Sequence, residues 1–574
     1  MGTYLAHYAV KPRCAASFAA IGLIDAMTNF SAKILGSSIS SLTAQQALIA
    51  NSSNNIANVN TPGYTRRQVE IESRVDVANI GNILQIGSGV QLGNIKRYTD
   101  EFLENQLRSA SSKKGQADVR NDYLSRVEVS FALDGPQSTV GSALNNFYSA
   151  VNQVGINPSN VDLRINLMQR GEDLIANIRA TYATIAGAQS ELNHRVPLEI
   201  NTVNSFTTQI AQLNGLISQR EAAGVIAIDE RDQRDTVLTK LAEKLSFTTL
   251  ETANGMLNCY LDNGFPLVNQ ETSRNLTATS APSFAASTLP RSLSGEVLGY
   301  VTYDFGSPTT PSHLDLTQLL KNGSGTLAGI LQMRGTTDPS NTSPFEAEGD
   351  LVSMASRIEA LTRGLLTKAN QTYLGVDEDT VTAGFQSNAG DLNGNTPGVF
   401  GLFDFDFSGI KDVDGDGIPS LSDLTNITPL ISNFSSLIKL GFTNPAEFAA
   451  ARDNDPVSGS KVFPPGDGQN AAAVAALRST SSSFSLGNFS FSGTMEELYN
   501  SSVSYVGNAK AAAQLAVQVS DANLLSASNK RDEFSAVSLD EEFANLIRYQ
   551  KAFQASARMI KTAGELLDQI VSLI

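Results

Sequence analysis

The chain has only three histidines and only two cysteines in 574 residues, and each scarcity removes a class of function. His7, His194 and His313 stand apart, with no His-Glu-x-x-His pair, so the usual ligands of a catalytic zinc are missing. Cys14 and Cys259 cannot build a disulfide framework or a thiolate zinc cluster, and so few thiols suit a secretion route that avoids oxidative folding. There is no Gly-x-Ser-x-Gly elbow, so hydrolytic machinery is not visible and the chain reads as no enzyme. Asp540, Glu541 and Glu542 could do acid-base work, but at a helix start they fit better as partners of the positive end of the helix dipole.

Long apolar runs are also missing. The longest, Cys14 to Ile24, is about half of the roughly 20 residues that span a bilayer, so no membrane span and no membrane partner are expected. Lys11 and Arg13 before it give the look of a signal peptide, but the apolar stretch is short and no small-residue cleavage site follows. Acidic residues outnumber basic ones by 57 to 41, and the basic ones occur singly or in pairs, so no stripe exists to neutralise nucleic acid.

What is present is helical periodicity at both ends. Between residues 29 and 58, Leu35, Ile39, Leu42, Ile49 and Ile56 recur at about 3.5 residues, with Gln46 and Ser53 completing one seam. Pro62-Gly63 then demands a type II turn and a change of direction. Residues 65–98 read as short extended segments and residues 100–129 as helix. Long helices follow from 138 to 245, broken at 155–158 and at Gly224, and then a β-rich pattern runs to about 334. Residues 350–374 are helical. Residues 384–490 are rich in Gly, Asn, Ser and Asp, with a small helix expected at 445–452.

Residues 494–574 are nearly uninterrupted helix pattern. Steps of four and three from Leu539 visit Phe543, Leu546, Gln550, Phe553, Ala557, Ile560, Gly564, Leu567, Val571 and Ile574, and only Gln550 and Gly564 leave the apolar set. Such a helix is roughly 50 Å long at about 1.5 Å per residue, too long to be covered by a small globular domain. Matching seams at the two ends predict a terminal coiled coil with the middle of the chain inserted, although two ordinary core helices would give the same stripes.

The run Asn54-Asn55-Ile56-Ala57-Asn58-Val59-Asn60-Thr61-Pro62-Gly63-Tyr64 resembles the signature shared by rod, hook and hook-associated proteins of the bacterial flagellum. Ser538 to Ile547 and Tyr549 to Arg558 narrow the likeness to the hook-associated protein 1 family, with support from Asp100 to Ser109, Asp229 to Asp235 and Gly264 to Val268. Ala536 and Ser538 depart mildly from that family, which often has Gly and Asn there, and residues 385–465 carry no part of the likeness to it. The resemblance begins near Met27, so residues 1–26 read as an over-extended start or a frayed tail.

The resemblance implies a secreted, extracellular junction subunit between hook and filament. It would be exported unfolded by a type III apparatus and self-assembled as a ring or tube, with hook protein, a second junction protein and an export chaperone at the C-terminal helix as partners. The assembly residues it implies are Leu35, Ile39, Leu42, Ile49, Asn55, Ile56, Asn58, Thr61, Pro62, Gly63, Tyr64, Leu539, Phe543, Leu546, Phe553, Ile560, Leu567 and Val571. No cofactor is required.

One loop carries separate chemistry. Asp412, Asp414, Asp416, Ser420 and Asp423, with the Ile418 carbonyl and Gly417 at the turn, have the spacing of an EF-hand calcium loop, with Pro419 and the short Asp423 as departures. An acidic solvated turn is the alternative. A calcium-dependent adhesin would repeat such a loop, and one copy exists. Another axial protein, hook or rod, is the nearer alternative.

The expected fold is an α+β multidomain chain. It has a terminal coiled coil (27–64 with 535–574), a helical rod-like domain (65–245 with 346–380 and 490–534), a β-rich domain (246–345) and a variable outer domain (381–489).

Overall fold

The computed structural model describes residues 13–74, 89–131, 139–279, 292–305, 313–336, 345, 347–375, 389–396, 401–405, 433–453 and 462–572, with side chains from Phe30 onward except at 304, 313, 405 and 570. The calcium-like loop, Asp412 to Asp423, lies outside the described residues. Two compact units emerge. One comprises residues up to Leu107, Leu213–Thr236 and residues from Ser526; the other comprises Arg108–Gln212 and Val237–Leu525. The architecture is α+β, with long terminal helices and small inserted antiparallel sheets.

The chain opens with α1 (Arg13–Ala57), the antiparallel hairpin β1 (Arg67–Ser73) and β2 (Val90–Arg97), and α2 (Glu101–Phe131). Three helices follow, α3 (Val140–Ile156), α4 (Val161–Ala222) and α5 (Ile228–Lys244). Thr139 and Ser142 form a capping box on α3. Asp229 and Glu230 place negative charge in the first turn of α5, where the helix dipole favours it. Pro197 lies inside α4 and removes one backbone donor. The helix runs through it because Val196 and Ile200 are fully buried on either side and Arg195 pairs with Glu199 at 3.3 Å across it.

In the larger unit, β3 (Thr248–Glu251), β4 (Leu257–Tyr260), β5 (Pro266–Asn269) and β6 (Thr272–Ser273) make a meander. A second sheet contains β7 (Leu276–Thr279), β8 (Tyr300–Asp304) and β9 (His313–Asp315). Their inward residues, among them Leu257, Cys259, Leu267, Val268 and Val301, belong to the same core as Tyr182, Leu192 and Val203 of α4. Beyond β9 the β-rich expectation fails, because the chain forms α6 (Thr317–Asn322) and α7 (Thr326–Arg334). Leu327, Ala328, Ile330, Leu331 and Met333 are all buried, so α7 has no polar face to declare a helical period.

Downstream, α8 (Asp350–Gly364) passes through a π-turn at Leu365–Ala369 into α9 (Asn370–Leu374). The short β10 (Ala389–Gly390), β11 (Phe403–Phe405), α10 (Phe434–Leu437), β12 (Ile438–Leu440) and β13 (Ala451–Arg452) follow. The small helix expected at 445–452 is a single 3-10 turn, Pro445–Glu447, capped by Asn444. Arg164, itself fully buried, stops its continuation by taking the Phe448 carbonyl at 2.6 Å. A helix does form later in this polar tract, α11 (Gln469–Ala476). Its approach to α3 is very close, since a Cβ on Gly468 would meet the Gly155 carbonyl at 2.0 Å. The hairpin β14 (Ser482–Leu486) and β15 (Phe489–Gly493) then leads into α12 (Met495–Ser535) and α13 (Leu539–Ser572).

In the smaller unit α1 packs along α13, and Ser41 Oγ meets Ser556 Oγ at 2.9 Å. The buried positions of α1 are Ser31, Ser38, Ala44, Leu48, Ser52 and Asn55; on α13 they are Glu542, Ser556 and Ala563. Both sets lie about one residue before the apolar stripes, so those stripes are rotated off the seam by about 100° on each helix. Small side chains occupy the contact because they let the two axes approach. Large ones sit beside it: Leu35, Leu42, Ile49, Ile56, Leu546, Phe553, Ile560 and Leu567 are half-buried, while Ile39, Leu539, Phe543 and Val571 are exposed.

This unit also takes in β1, β2 and the start of α5, which the composition shifts assigned to the helical domain. The reason is the set of ion pairs described below. Overfilling the seam should therefore cost more than trimming its flank. Ser556→Leu is expected to destabilise the α1–α13 pair by about 1–3 kcal/mol, and Ile547→Ala by under about 0.5 kcal/mol. Hydrogen exchange of α13 amides in the two variants measures the difference.

Candidate assembly site

The signature residues close α1 and redirect the chain. The Thr61 amide returns to the Asn58 carbonyl at 2.9 Å, and the Tyr64 amide to the Thr61 carbonyl at 3.1 Å, closing a turn with Pro62 and Gly63 at its centre. Gly63 has φ +80°, and a Cβ there would lie 2.3 Å from Thr236 Oγ1, so both backbone and space require glycine. Asn58 is half-buried and accepts from Thr61 Oγ1 at 3.2 Å; Thr61 and Pro62 themselves are exposed.

Asn55 is fully buried and serves three partners. Its Oδ1 accepts from Tyr64 Oη at 2.8 Å and from the Arg67 amide at 3.2 Å, while its Nδ2 donates to the Arg67 carbonyl at 2.9 Å. Asn51 Nδ2 adds a second bond to that carbonyl at 2.7 Å. A side-chain amide with a donor and an acceptor on one plane can satisfy both backbone groups of one residue, and so pins β1 to α1.

Beyond the turn, arginines meet carboxylates. Arg67 reaches Asp229 at 2.5 Å and Asp232 at 3.1 Å, and its guanidinium lies 4.6 Å from the Tyr64 ring. Arg97 of β2 pairs with Asp232 at 2.9 Å and with Asp235 at 2.5 Å, and Thr65 donates to Asp232 at 2.7 Å. Arg66 turns the other way to Glu541 at 2.8 Å and Glu542 at 2.9 Å, and its amide donates to the Ser535 carbonyl at 2.8 Å. Asp229, Asp232 and Asp235 recur every three residues on one face of α5, and Arg66, just before β1, and Arg67, its first residue, reach separate acid clusters. The acidic start of α13 is thus engaged by Arg66 as well as lying at a helix N-terminus.

Asp232 is buried, and desolvation pushes its carboxyl above the usual carboxylate range, outweighing Arg97, Thr65 and Arg67. Burial likewise raises the Tyr64 hydroxyl against the opposing charge of Arg67. For Arg67 burial acts downward, but the bonds to Asp229 and Asp232 and the Tyr64 interaction prevail and hold its guanidinium up. A cleft of about 540 Å³ lies here, lined by Asn54, Pro62, Tyr64, Asp229, Glu230 and Gln233 among others. Its lining holds no nucleophile–base pair, and the described residues contain no group of three or more His, Cys, Asp or Glu that could hold a metal. The arrangement is a clamp.

Sequence reading brought out the turn and the two stripes but not Arg66, Arg67, Arg97 or Thr65. The Arg-Arg pair directly after the signature and the three-residue repeat of aspartates were the available signals.

Comparison with known proteins fits this geometry. A family model for the flagellar basal body rod protein matches residues 35–65, and one for the C-terminal part of the basal body rod proteins FlgE, FlgF and FlgG matches residues 528–573. The helical domain of flagellar hook-associated protein FlgK matches residues 124–385. Flagellar hook-associated protein 1 of Salmonella typhimurium strain LT2 is 27% identical over 94% of this chain and 99% of its own length. The Escherichia coli K12 protein of that name is 25% identical with the same coverage, and the Bacillus subtilis 168 protein is 23% identical over 92% of this chain and 96% of its own. The solved structure of the flagellar hook junction protein FlgK from Burkholderia pseudomallei superposes with a TM-score of 0.56 at 14% identity, covering 76% of this chain and all of that one, which supports the shared fold.

The chain is therefore an axial structural protein of the bacterial flagellum. Within that class it is similar to flagellar hook-associated protein 1 over nearly its whole length.

Loss of Asn55 leaves buried backbone and hydroxyl groups unpaired, so Asn55→Ala should lower the stability of the smaller unit by about 2–4 kcal/mol in urea unfolding. The raised Asp232 carboxyl has a defined sign. Its contribution is fully present below the unfolded value near 3.8 and is lost as pH rises through the higher folded value. Stability of the native chain minus that of Asp232→Asn should thus fall as pH rises through the acid range; a rise would contradict the burial argument.

Proposed function

We propose that the chain is a subunit of the hook–filament junction, adding to copies of itself in a ring or tube through its terminal helices. The observation that carries this is the off-centre seam. Because small side chains mediate the α1–α13 contact, Phe543 and Ile547 stay exposed on one side of α13 and Met559 and Leu566 on the other. Exposed apolar rows of this length on a helix are unfavourable in water and become favourable once covered by neighbouring subunits. The two ends match models of basal body rod proteins, whereas residues 124–385 match the helical domain of hook-associated protein FlgK, which favours the junction over the hook or rod reading.

In this role the subunit lies outside the cell, between hook protein and a second junction protein, after unfolded export through the flagellar type III apparatus. Ordering of the terminal pair is completed by neighbours, so assembly and final folding are coupled. Before export, the amphipathic α13 offers a chaperone the helix-in-groove mode of binding. The calcium role of Asp412, Asp414, Asp416, Ile418, Ser420 and Asp423 is a peripheral stabilisation resting on their spacing alone.

The double variant Phe543→Glu/Ile547→Glu is expected to keep the monomer's thermal unfolding and to lose assembly, seen as absent oligomer in sedimentation and lost swimming when it replaces the native chain. Normal swimming with both charges in place would sink the terminal-helix reading. For the loop, added calcium should raise the unfolding temperature of the native chain and leave Asp412→Asn/Asp416→Asn unchanged.

A further inference from the structure

In the larger unit a cavity of about 470 Å³ is lined by Arg120, Lys321, Glu348, Asp350 and Arg357, together with Phe489 and Tyr505. Four of its charges are matched, Arg120 with Asp350 at 2.8 Å and Lys321 with Glu348 at 3.0 Å. Arg357 is not. Its guanidinium lies 4.1 Å from the Tyr505 ring and 4.6 Å from the Phe489 ring, and its Nε is buried without a hydrogen-bond partner. Among the described residues it makes no hydrogen bond or ion pair.

Stacking engages the faces of a guanidinium and leaves its in-plane N–H groups, the edge that grips a carboxylate with two parallel bonds. Burial also pulls its pKa down, which is the mark of a cation still short of an anionic partner. Among the described residues the cavity thus holds one uncompensated positive charge, set against two aromatic rings, and more room than a single carboxylate fills.

We propose that this cavity receives an acidic side chain from a neighbouring copy of the chain, through a carboxylate on Arg357. A second copy is the fitting source because its surface is rich in that group, with 57 acidic residues against 41 basic and a net charge of −16. The proposal rests on the self-assembly reading above for the presence of the neighbour, while the chemistry of the cavity stands independently.

Two measurements on the full chain test it. In the monomer, the Arg357 Nε–H signal, identified by its loss in Arg357→Lys, is followed by nitrogen-15 NMR during addition of N-acetylglutamate and, separately, sulfate. A saturable shift with the carboxylate and a weaker one with sulfate is expected; no shift, or equal shifts, overturns the carboxylate assignment. In the assembled state a photocrosslinker replaces Asn488, which also lines the cavity. Crosslinked dimers of this chain are expected, reduced roughly tenfold to a hundredfold by Arg357→Ala with monomer unfolding unchanged. Crosslinks confined to the same chain, or made to a different protein, overturn the neighbouring-copy source. If the unsubstituted chain does not assemble, the self-assembly reading falls with that source, and the NMR titration still reports whether Arg357 takes a carboxylate.

Discussion

The carboxylate of Asp232 gathers parts of the chain that are remote in sequence. It accepts from Thr65 and Arg67 on one side of the hairpin and from Arg97 on the other, inside a region where water cannot help. A charge in such a place is costly to bury, and removal of its cationic partners would leave that cost uncompensated, at about 3–5 kcal/mol. The hairpin must therefore stay on α5, and with it the turn that ends α1. Asn55 performs the neutral counterpart at the same corner, fixing β1 through its backbone. Between them the direction of α1 relative to the hairpin is set by polar groups, which tolerate little displacement.

That polar corner frees the α1–α13 contact from having to be the most apolar surface available. Serine and alanine fill most of the seam, with Leu48 among them, and the other large aliphatic and aromatic residues stand along its margins. A monomer optimised for its own stability would turn those residues inward. Their placement leaves apolar side chains on the outside of the terminal helices, where the proposed neighbouring copies would cover them.

Local features were well legible in the sequence. The C-terminal end of α1, the start of α13, the Pro62-Gly63 turn and the extended segments that pair as the hairpin follow from periodicity and turn chemistry, whereas α1 begins at Arg13, well before the expected residue 29. The contact face was not, because apolar periodicity locates the stripe with the most hydrophobic residues, whereas Ser38, Ser52, Ser556 and Ala563 decide how closely two helices approach. The helix α7 was obscured by burial on all sides, α6 by being only six residues long, and α11 by a polar, glycine-rich surrounding. The arginine–aspartate clamp joins positions up to about 165 apart, a relation that no window of sequence contains.

The pairing of Ser41 with Ser556 spans 515 residues. Closure over such a separation is slow, because the entropy of bringing distant segments together must be met before any contact repays it. The larger unit, apart from its α12 contribution, can gather its core from segments nearer in sequence, while the smaller unit waits for α13. Topology alone would have the body of the molecule gather first and the terminal pair last. A subunit built this way keeps its most association-prone surface incomplete during the period when premature clumping would do most harm.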